Sequence, residues 1–353
     1  MKAAMLHQAG SPLEVMEVPL PTLHASSVRV RVLSTHILSF TSQVVGGQFP
    51  FPLPTPYIPG LSAIGIVEEI ADDVTGIQPG QKVFCSPLIE SRTNSEAPER
   101  ILKGWIGMTP NCEKLLHQWK DGAFAEYAVY PVECVTPIDF IGEHDPARLA
   151  CMYYLCIAYG AFLRGDFAIG QSVVINGATG NLGTASILVA LAMGASQIYA
   201  VGRNPSVLHQ LQTLDSQRIT TIALPARTEE YSSVFSQQIG EADLLVDATG
   251  IMTDSSLVQA GLSVLRRHGT AVFLGGVMTD VPVPYLTSIV KELNFKGSSM
   301  YPGSAPRDIA NMIAAGLLDL NAFEPKPYGL DQINEAIAAA SEARGLGYVV
   351  LKP

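Results

Sequence analysis

The run Val173-Val174-Ile175-Asn176 stops at the turn Gly177-Ala178-Thr179-Gly180-Asn181-Leu182-Gly183, and an apolar segment follows to Met193. Strand, glycine turn and helix in this order form the context a dinucleotide-phosphate turn requires. Gly180 predicts a close approach of backbone to pyrophosphate. Gly183 predicts close packing of the helix on the strand, and the helix amino terminus offers N–H groups to an anion. Ala178 departs from the usual G-x-G-x-x-G by standing where its first glycine would fall.

The segments around this turn alternate. Strands are expected at 172–176, 197–201, 243–248 and 270–274, with helices at 181–193 and 255–267. Strand–helix alternation with continuously apolar strands predicts a doubly wound parallel sheet covered on both faces. A helix is also expected over Pro146 to Leu163. The first 140 or so residues read differently. Val28-Arg29-Val30-Arg31-Val32 alternates with period two, and Pro and Gly punctuate short apolar runs, as in a β-rich domain. Ser86 to Asp121 reads as a polar lobe between strands, carrying Trp105 and Trp119. Helices near 306–316 and 330–342 precede a terminal strand Gly347-Tyr348-Val349-Val350-Leu351, expected to rejoin the amino-terminal part.

With 353 residues the chain exceeds the usual single-core size, so two domains are expected. The net charge of −10 and the lack of a Lys/Arg cluster argue against nucleic acid and anionic membranes as partners. The longest uncharged run, Ile169 to Gly202, carries six glycines and many polar residues, so no membrane span is expected. No signal-peptide pattern is visible, and five cysteines without a C-x-x-C suggest free thiols and a cytoplasmic protein.

The second strand ends at Val201-Gly202-Arg203-Asn204. An NAD enzyme usually carries Asp or Glu near this place, to hold the ribose 2′-hydroxyl. Gly202 leaves room and Arg203 can pair with a phosphate, so NADP(H) is the expected cofactor, with Asn204 and Ser206 beside it.

Taken together, the chain resembles the medium-chain dehydrogenase/reductase family, in its zinc-lacking alcohol dehydrogenase-like and quinone oxidoreductase-like branch. Landmarks of the resemblance run the whole length: Lys2-Ala3-Ala4, Ile58-Pro59-Gly60, Gly65-Ile66-Val67, Gln78-Pro79-Gly80, Gly122-Ala123-Phe124-Ala125-Glu126-Tyr127, the glycine turn, Asp247-Ala248-Thr249-Gly250 and Leu274-Gly275-Gly276. The resemblance implies a GroES-like, β-rich catalytic domain (1–140 plus 287–353) into which an α/β Rossmann domain (141–286) is inserted. It also implies a homodimer, and Thr249, Gly275 and Gly276 beside the nicotinamide.

The departures from the family bear on the chemistry. Where zinc-dependent members carry Cys and Asp, Leu38 and Thr41 stand; where they carry His-Glu, Leu61 and Ser62 stand; the third ligand falls near Tyr153. The lobe holds a single cysteine, Cys112, where a structural zinc needs four. No zinc of either kind is therefore expected. His36 is expected to be a lone packed or surface histidine. The family's cleft positions put Ser39, Thr41, Tyr57 and Tyr153 forward as hydrogen-bond donors to the substrate, Tyr153 first; Trp105, Trp119 and Met300 shape the pocket.

Without a Lewis acid, hydride addition to an activated C=C bond is easier than alcohol oxidation, because neutral donors can stabilise the enolate. The expectation is an NADPH-dependent reductase of a small electrophilic enone, enal or quinone-like molecule. A zinc-free carbonyl or iminium reductase and an NADP-binding interaction protein without catalysis stand as alternatives.

Overall fold

The computed structural model describes residues 1–49 and 51–353. Six parallel strands form one sheet in the order Ile219–Ala223, Gln197–Gly202, Ser172–Asn176, Ala242–Asp247, Leu265–Phe273, Asn294–Gly297. The direction of winding reverses between Ser172–Asn176 and Ala242–Asp247, and the crevice beyond the carboxyl ends there is the ligand position of such sheets. Val173, Val174 and Ile175 are all fully buried, as continuous apolar strands must be when helices cover both faces. The helix Asn181–Ala192 is apolar all round because it lies between this sheet and the helix Met152–Arg164.

The β-rich part is built on Ser27–Ile37. This strand pairs antiparallel with Ala63–Ile70, Tyr127–Pro131 and the terminal strand Gly347–Lys352. The terminal strand also runs parallel to Glu324–Gly329. The carboxyl end thus rejoins the amino-terminal sheet, as expected. Arg29 and Arg31 point outward between the buried Val28, Val30 and Val32.

Several expected elements have different limits. The helix expected over 146–163 is two pieces, Pro146–Leu149 and Met152–Arg164. Asp145 caps the first, its carboxylate accepting the Ala147 N–H at 3.0 Å with Pro146 at the first helical position. The second has the length and apolarity of a membrane span together with the first, yet most of its apolar residues are buried inside the protein. The helix expected to 267 ends at Ser263, and Leu265 to Arg267 already belong to the fifth strand. The strand Ile219–Ala223 has no counterpart in the expected set, because the exposed Thr220 and half-buried Thr221 break its apolar run. The expected domain boundary at 286/287 falls inside the helix Tyr285–Lys291 and cuts off Asn294–Gly297, which pairs with Leu265–Phe273. Sheet pairing moves that boundary past Gly297.

Candidate active site

The glycine turn sits at the carboxyl end of Ser172–Asn176. Gly177 has φ +72°, and a Cβ there would lie 2.7 Å from the Ala248 carbonyl oxygen, so only glycine fits. Gly183 is equally constrained: its Cβ would lie 2.2 Å from the Gly177 carbonyl oxygen. Gly180 is not constrained by the protein, since a Cβ would meet only Gly177 O at 3.4 Å. Its other side is open, which suits the close approach of a phosphate. Gly180 caps the helix Asn181–Ala192 without a side-chain bond, so the first N–H groups point to the crevice unpaired. Ala178 is buried and donates its N–H to Val201 O at 2.9 Å, locking the variant turn to the second strand. Thr184 Oγ1 closes the turn from inside by donating to Ala178 O. Leu182 is half-buried on the first helical turn and packs on the core.

Three expected cofactor residues have other duties. Asn181 donates its side-chain N–H groups to Gly345 O at 3.0 Å and Gly347 O at 2.7 Å, while Gly345 N donates to Thr179 O. The turn is thereby clasped to the segment that leads into the terminal strand. The Asn204 side-chain oxygen accepts from Ser206 N and Val207 N, capping the helix Pro205–Leu214. Gly202 is explained by packing, since a Cβ would lie 2.4 Å from Thr179 Cγ2, rather than by room for a phosphate. Arg203 is exposed at the strand end.

Beside the turn, Asp247 is buried, and burial raises its carboxyl pKa while a 2.6 Å bond from Thr249 Oγ1 opposes the rise. Gly276 N donates to Thr249 O at 2.7 Å, and a Cβ on Gly275 would lie 2.5 Å from that same oxygen. Thr249, Gly275 and Gly276 thus draw the loops after the fourth and fifth strands together at the crevice.

On the catalytic-domain side, Leu38, Leu61 and Tyr153 belong to one buried cluster, with Tyr154 beside them. The His36 ring stacks on Tyr153 with centroids 4.3 Å apart and planes 23° off parallel, and Tyr154 meets the same ring edge-on. Ser62 Oγ lies 3.1 Å from His36 Nδ1, and His36 Nε2 is buried without a partner. Burial alone pulls the His36 pKa down to about 3, so the ring is neutral. Burial also raises the Tyr153 hydroxyl above its usual range, so it stays protonated. Of the two readings, packed or surface, His36 takes the packed one, and its stack with Tyr153 had no sequence signal.

The other expected donors divide. Ser39 is half-buried at the start of the turn into the helix Thr41–Val45, and Thr41 Oγ1 is buried without a partner. Tyr57 is fully buried in a separate cluster with Leu6, Ile37 and Phe124, inside the catalytic domain. Its hydroxyl, like Thr41 Oγ1, is buried without a partner. Trp105 joins the cluster of Tyr153, whereas Trp119 packs edge-on against His24 in another core. Met300 lines a cavity of about 960 Å³ together with Ser86, Arg100, Glu133, Arg164 and Lys296. That cavity lies towards the carboxyl end of Met152–Arg164 and touches no residue of the glycine turn.

Two family models match the chain on either side of the segment 141–181. The alcohol dehydrogenase GroES-like domain matches residues 24–140, and the zinc-binding dehydrogenase domain matches 182–316. The chain belongs to the medium-chain dehydrogenase/reductase family. An alcohol dehydrogenase from Moraxella sp. (strain TAE123) is 26% identical over 356 residues, covering 99% of both chains. A protein described as a zinc-binding dehydrogenase, from Sinorhizobium meliloti 1021 and bound to NADP, superposes with TM-score 0.82 at 20% identity, covering 100% of this chain and 99% of that one. An alcohol dehydrogenase (rspB) from E. coli CFT073 in complex with NADH also gives TM-score 0.82, at 17% identity and the same coverage. This member of the family is an NAD(P)-dependent oxidoreductase with the GroES-like and Rossmann architecture.

The turn fits a dinucleotide: free helix N–H groups, an open side at Gly180 and glycines forced at 177 and 183. When bound there, the nicotinamide supplies or accepts a hydride. The family's zinc does not fit. Leu38 and Leu61 carry no donor atom, and among the described residues no three His, Cys, Asp or Glu side chains converge. The space holds a neutral imidazole stacked on a phenol.

Proposed function

We propose that the protein is an NADPH-dependent, zinc-independent reductase that adds hydride to the activated C=C bond of a small enone, enal or quinone-like electrophile. The stacking of neutral His36 on Tyr153, with Leu38 and Leu61 at the positions of the family's zinc ligands, carries this reading. Hydride arriving at the β-carbon pushes charge onto the carbonyl oxygen. The Tyr153 hydroxyl, protonated at every working pH, donates a hydrogen bond to that oxygen. The C=C π bond breaks, a C–H bond forms, and solvent protonates the enolate at the α-carbon. Such chemistry needs a neutral donor, whereas alcohol oxidation needs a means of lowering the hydroxyl pKa.

The test is product analysis. Incubation with an enone and NADPH yields the saturated ketone; formation of the unsaturated alcohol alone points to a zinc-free carbonyl reductase, and no NADPH oxidation across a panel of electrophiles points to a binding protein. Near-stoichiometric zinc in the purified protein refutes the metal-free reading. Arg203 supports NADPH over NADH. Its replacement, Arg203→Ala, is expected to weaken NADPH about tenfold or more while sparing NADH, as the loss of one charge-assisted phosphate contact would.

Two further proposals accompany this reading. The helix Tyr285–Lys291 buries none of its residues and exposes Tyr285, Leu286, Ile289 and Val290 beside the edge strand Asn294–Gly297, which fits a homodimer. All five cysteines are buried free thiols, which fits a cytoplasmic protein.

A further inference from the structure

The glycine turn is held from the other domain at a point close to the end of the second strand. Gly345 N donates to Thr179 O at 2.9 Å, and Asn181 reaches back to Gly345 O and Gly347 O. Gly345 has φ +63°, and a Cβ there would lie 2.6 Å from Val207 Cγ1. Val207 stands in the first turn of the helix Pro205–Leu214, where its N–H goes to the capping Asn204 side chain. Gly202 packs on the same threonine, since a Cβ there would meet Thr179 Cγ2 at 2.4 Å. Three backbone segments therefore share one small patch: the turn at Thr179, the second strand's end at Gly202 and the entry to the terminal strand at Gly345.

The two outer segments each carry an arginine beside that glycine. Arg203 follows Gly202, and Arg344 precedes Gly345. Both are exposed. Among the described residues neither guanidinium has a carboxylate partner, whereas Arg29, Arg92, Arg218, Arg266 and Arg267 all do. Arg344 Nη1 donates to Ser341 O and Ala343 O, both at 2.7 Å, which closes the end of the helix Ile333–Glu342. Its Nε and Nη2 donate to no protein atom. Two cations without counterions beside one patch favour an anion with several acceptor oxygens, and a phosphate monoester offers three. The pyrophosphate belongs elsewhere, at Gly180 and the start of Asn181–Ala192. The end of the second strand is where the adenosine ribose of a dinucleotide lies.

We propose that Arg344, from the catalytic domain, is a second cation for the adenosine 2′-phosphate, opposite Arg203, so that both domains read the group that distinguishes NADPH from NADH. The proposal rests on the NADPH reading and adds to it a residue from the other domain.

Calorimetric titration of the whole protein with adenosine 2′,5′-bisphosphate and with 5′-AMP reads the 2′-phosphate apart from hydride transfer. The wild type is expected to bind the bisphosphate about tenfold or more tighter than AMP. Arg344→Ala is expected to weaken the bisphosphate about tenfold and to leave AMP binding as it was, which also shows that the variant is folded. Arg344→Gln keeps N–H donors for Ser341 O and Ala343 O but lacks the charge, and the same loss is expected there. Undiminished bisphosphate binding in either variant, or an equal loss for AMP, overturns the proposal. The two readings fail differently. A wild type that binds both nucleotides equally overturns the NADPH reading and the role of Arg344 with it. A preference for the bisphosphate that is lost in Arg203→Ala and kept in Arg344→Ala overturns the second cation alone.

Discussion

Lys103 is buried in the lobe, donates to Asp121 O and sits 4.7 Å from the centre of the Tyr130 ring. Burial lowers its pKa from 10.5 to about 8. The folded state therefore binds this proton more weakly than the unfolded chain. The burial cost is fully present below pH 8 and disappears as pH rises towards 10.5, so stability gained from this residue increases across that window. Denaturation curves at pH 7.5 and 9.5 are expected to show a larger gain for the wild type than for Lys103→Met, by about 2 kcal/mol. At the proposed reaction site the reverse holds. His36 is neutral above about pH 3 and Tyr153 is protonated well into the alkaline range. Neither group gives kcat a limb between about pH 5 and 9; a limb near the ordinary histidine pKa that vanishes in His36→Phe would contradict the neutral stack. Tyr153→Phe is expected to lower kcat by about 100-fold with little change in NADPH affinity, the usual cost of losing one oxyanion donor.

The helix Asn181–Ala192 and its turn behave as one unit. Gly183→Ala puts a methyl group against the Gly177 carbonyl, and overpacking of this kind costs about 1–3 kcal/mol. Gly180→Ala meets only an ordinary contact within the protein. The pair is expected to separate in measurement: Gly183→Ala lowers thermal stability even without cofactor, while Gly180→Ala loses NADPH binding at nearly unchanged apo stability. Equal apo stability of both would refute the packing role of Gly183. At this scale the sequence was readable where spacing alone sets the structure, as in the strand, turn and helix. It was less readable where threonines interrupt a strand, as in Ile219–Ala223, or where an amide serves a distant partner. Asn181 looked like a phosphate ligand because it stands in the turn, yet its partners Gly345 and Gly347 lie more than 160 residues away.

For the molecule as a whole, the clasp from Asn181 to Gly345 and Gly347 joins the cofactor turn of one domain to the terminal strand of the other. A second surface is left over: the exposed apolar residues of Tyr285–Lys291 beside an unpaired strand edge. Sedimentation of the wild type is expected to report a dimer, and Leu286→Glu with Val290→Glu a monomer of unchanged fold; a monomeric wild type would rule this surface out as a self-interface.

What the residues alone determined was the strand–helix alternation around the glycine turn, the turn itself and the lack of donor atoms at Leu38 and Leu61. All three rest on local spacing or on which donor atoms are present at a few positions. Tertiary structure decided how those residues are used. It stacked His36 on Tyr153, moved Tyr57 into the catalytic-domain core, parted Trp105 from Trp119, gave Asn204 to a helix cap and carried the parallel sheet past Lys291. These outcomes depend on contacts between distant segments, and hydrophobic packing is set by the shape that remains once the sheets have formed. The glycine turn shows both halves. Its Gly177 is dictated by the backbone of the distant Ala248, while at Gly180 the protein itself leaves room for a side chain, so that glycine answers to no packing constraint of the fold.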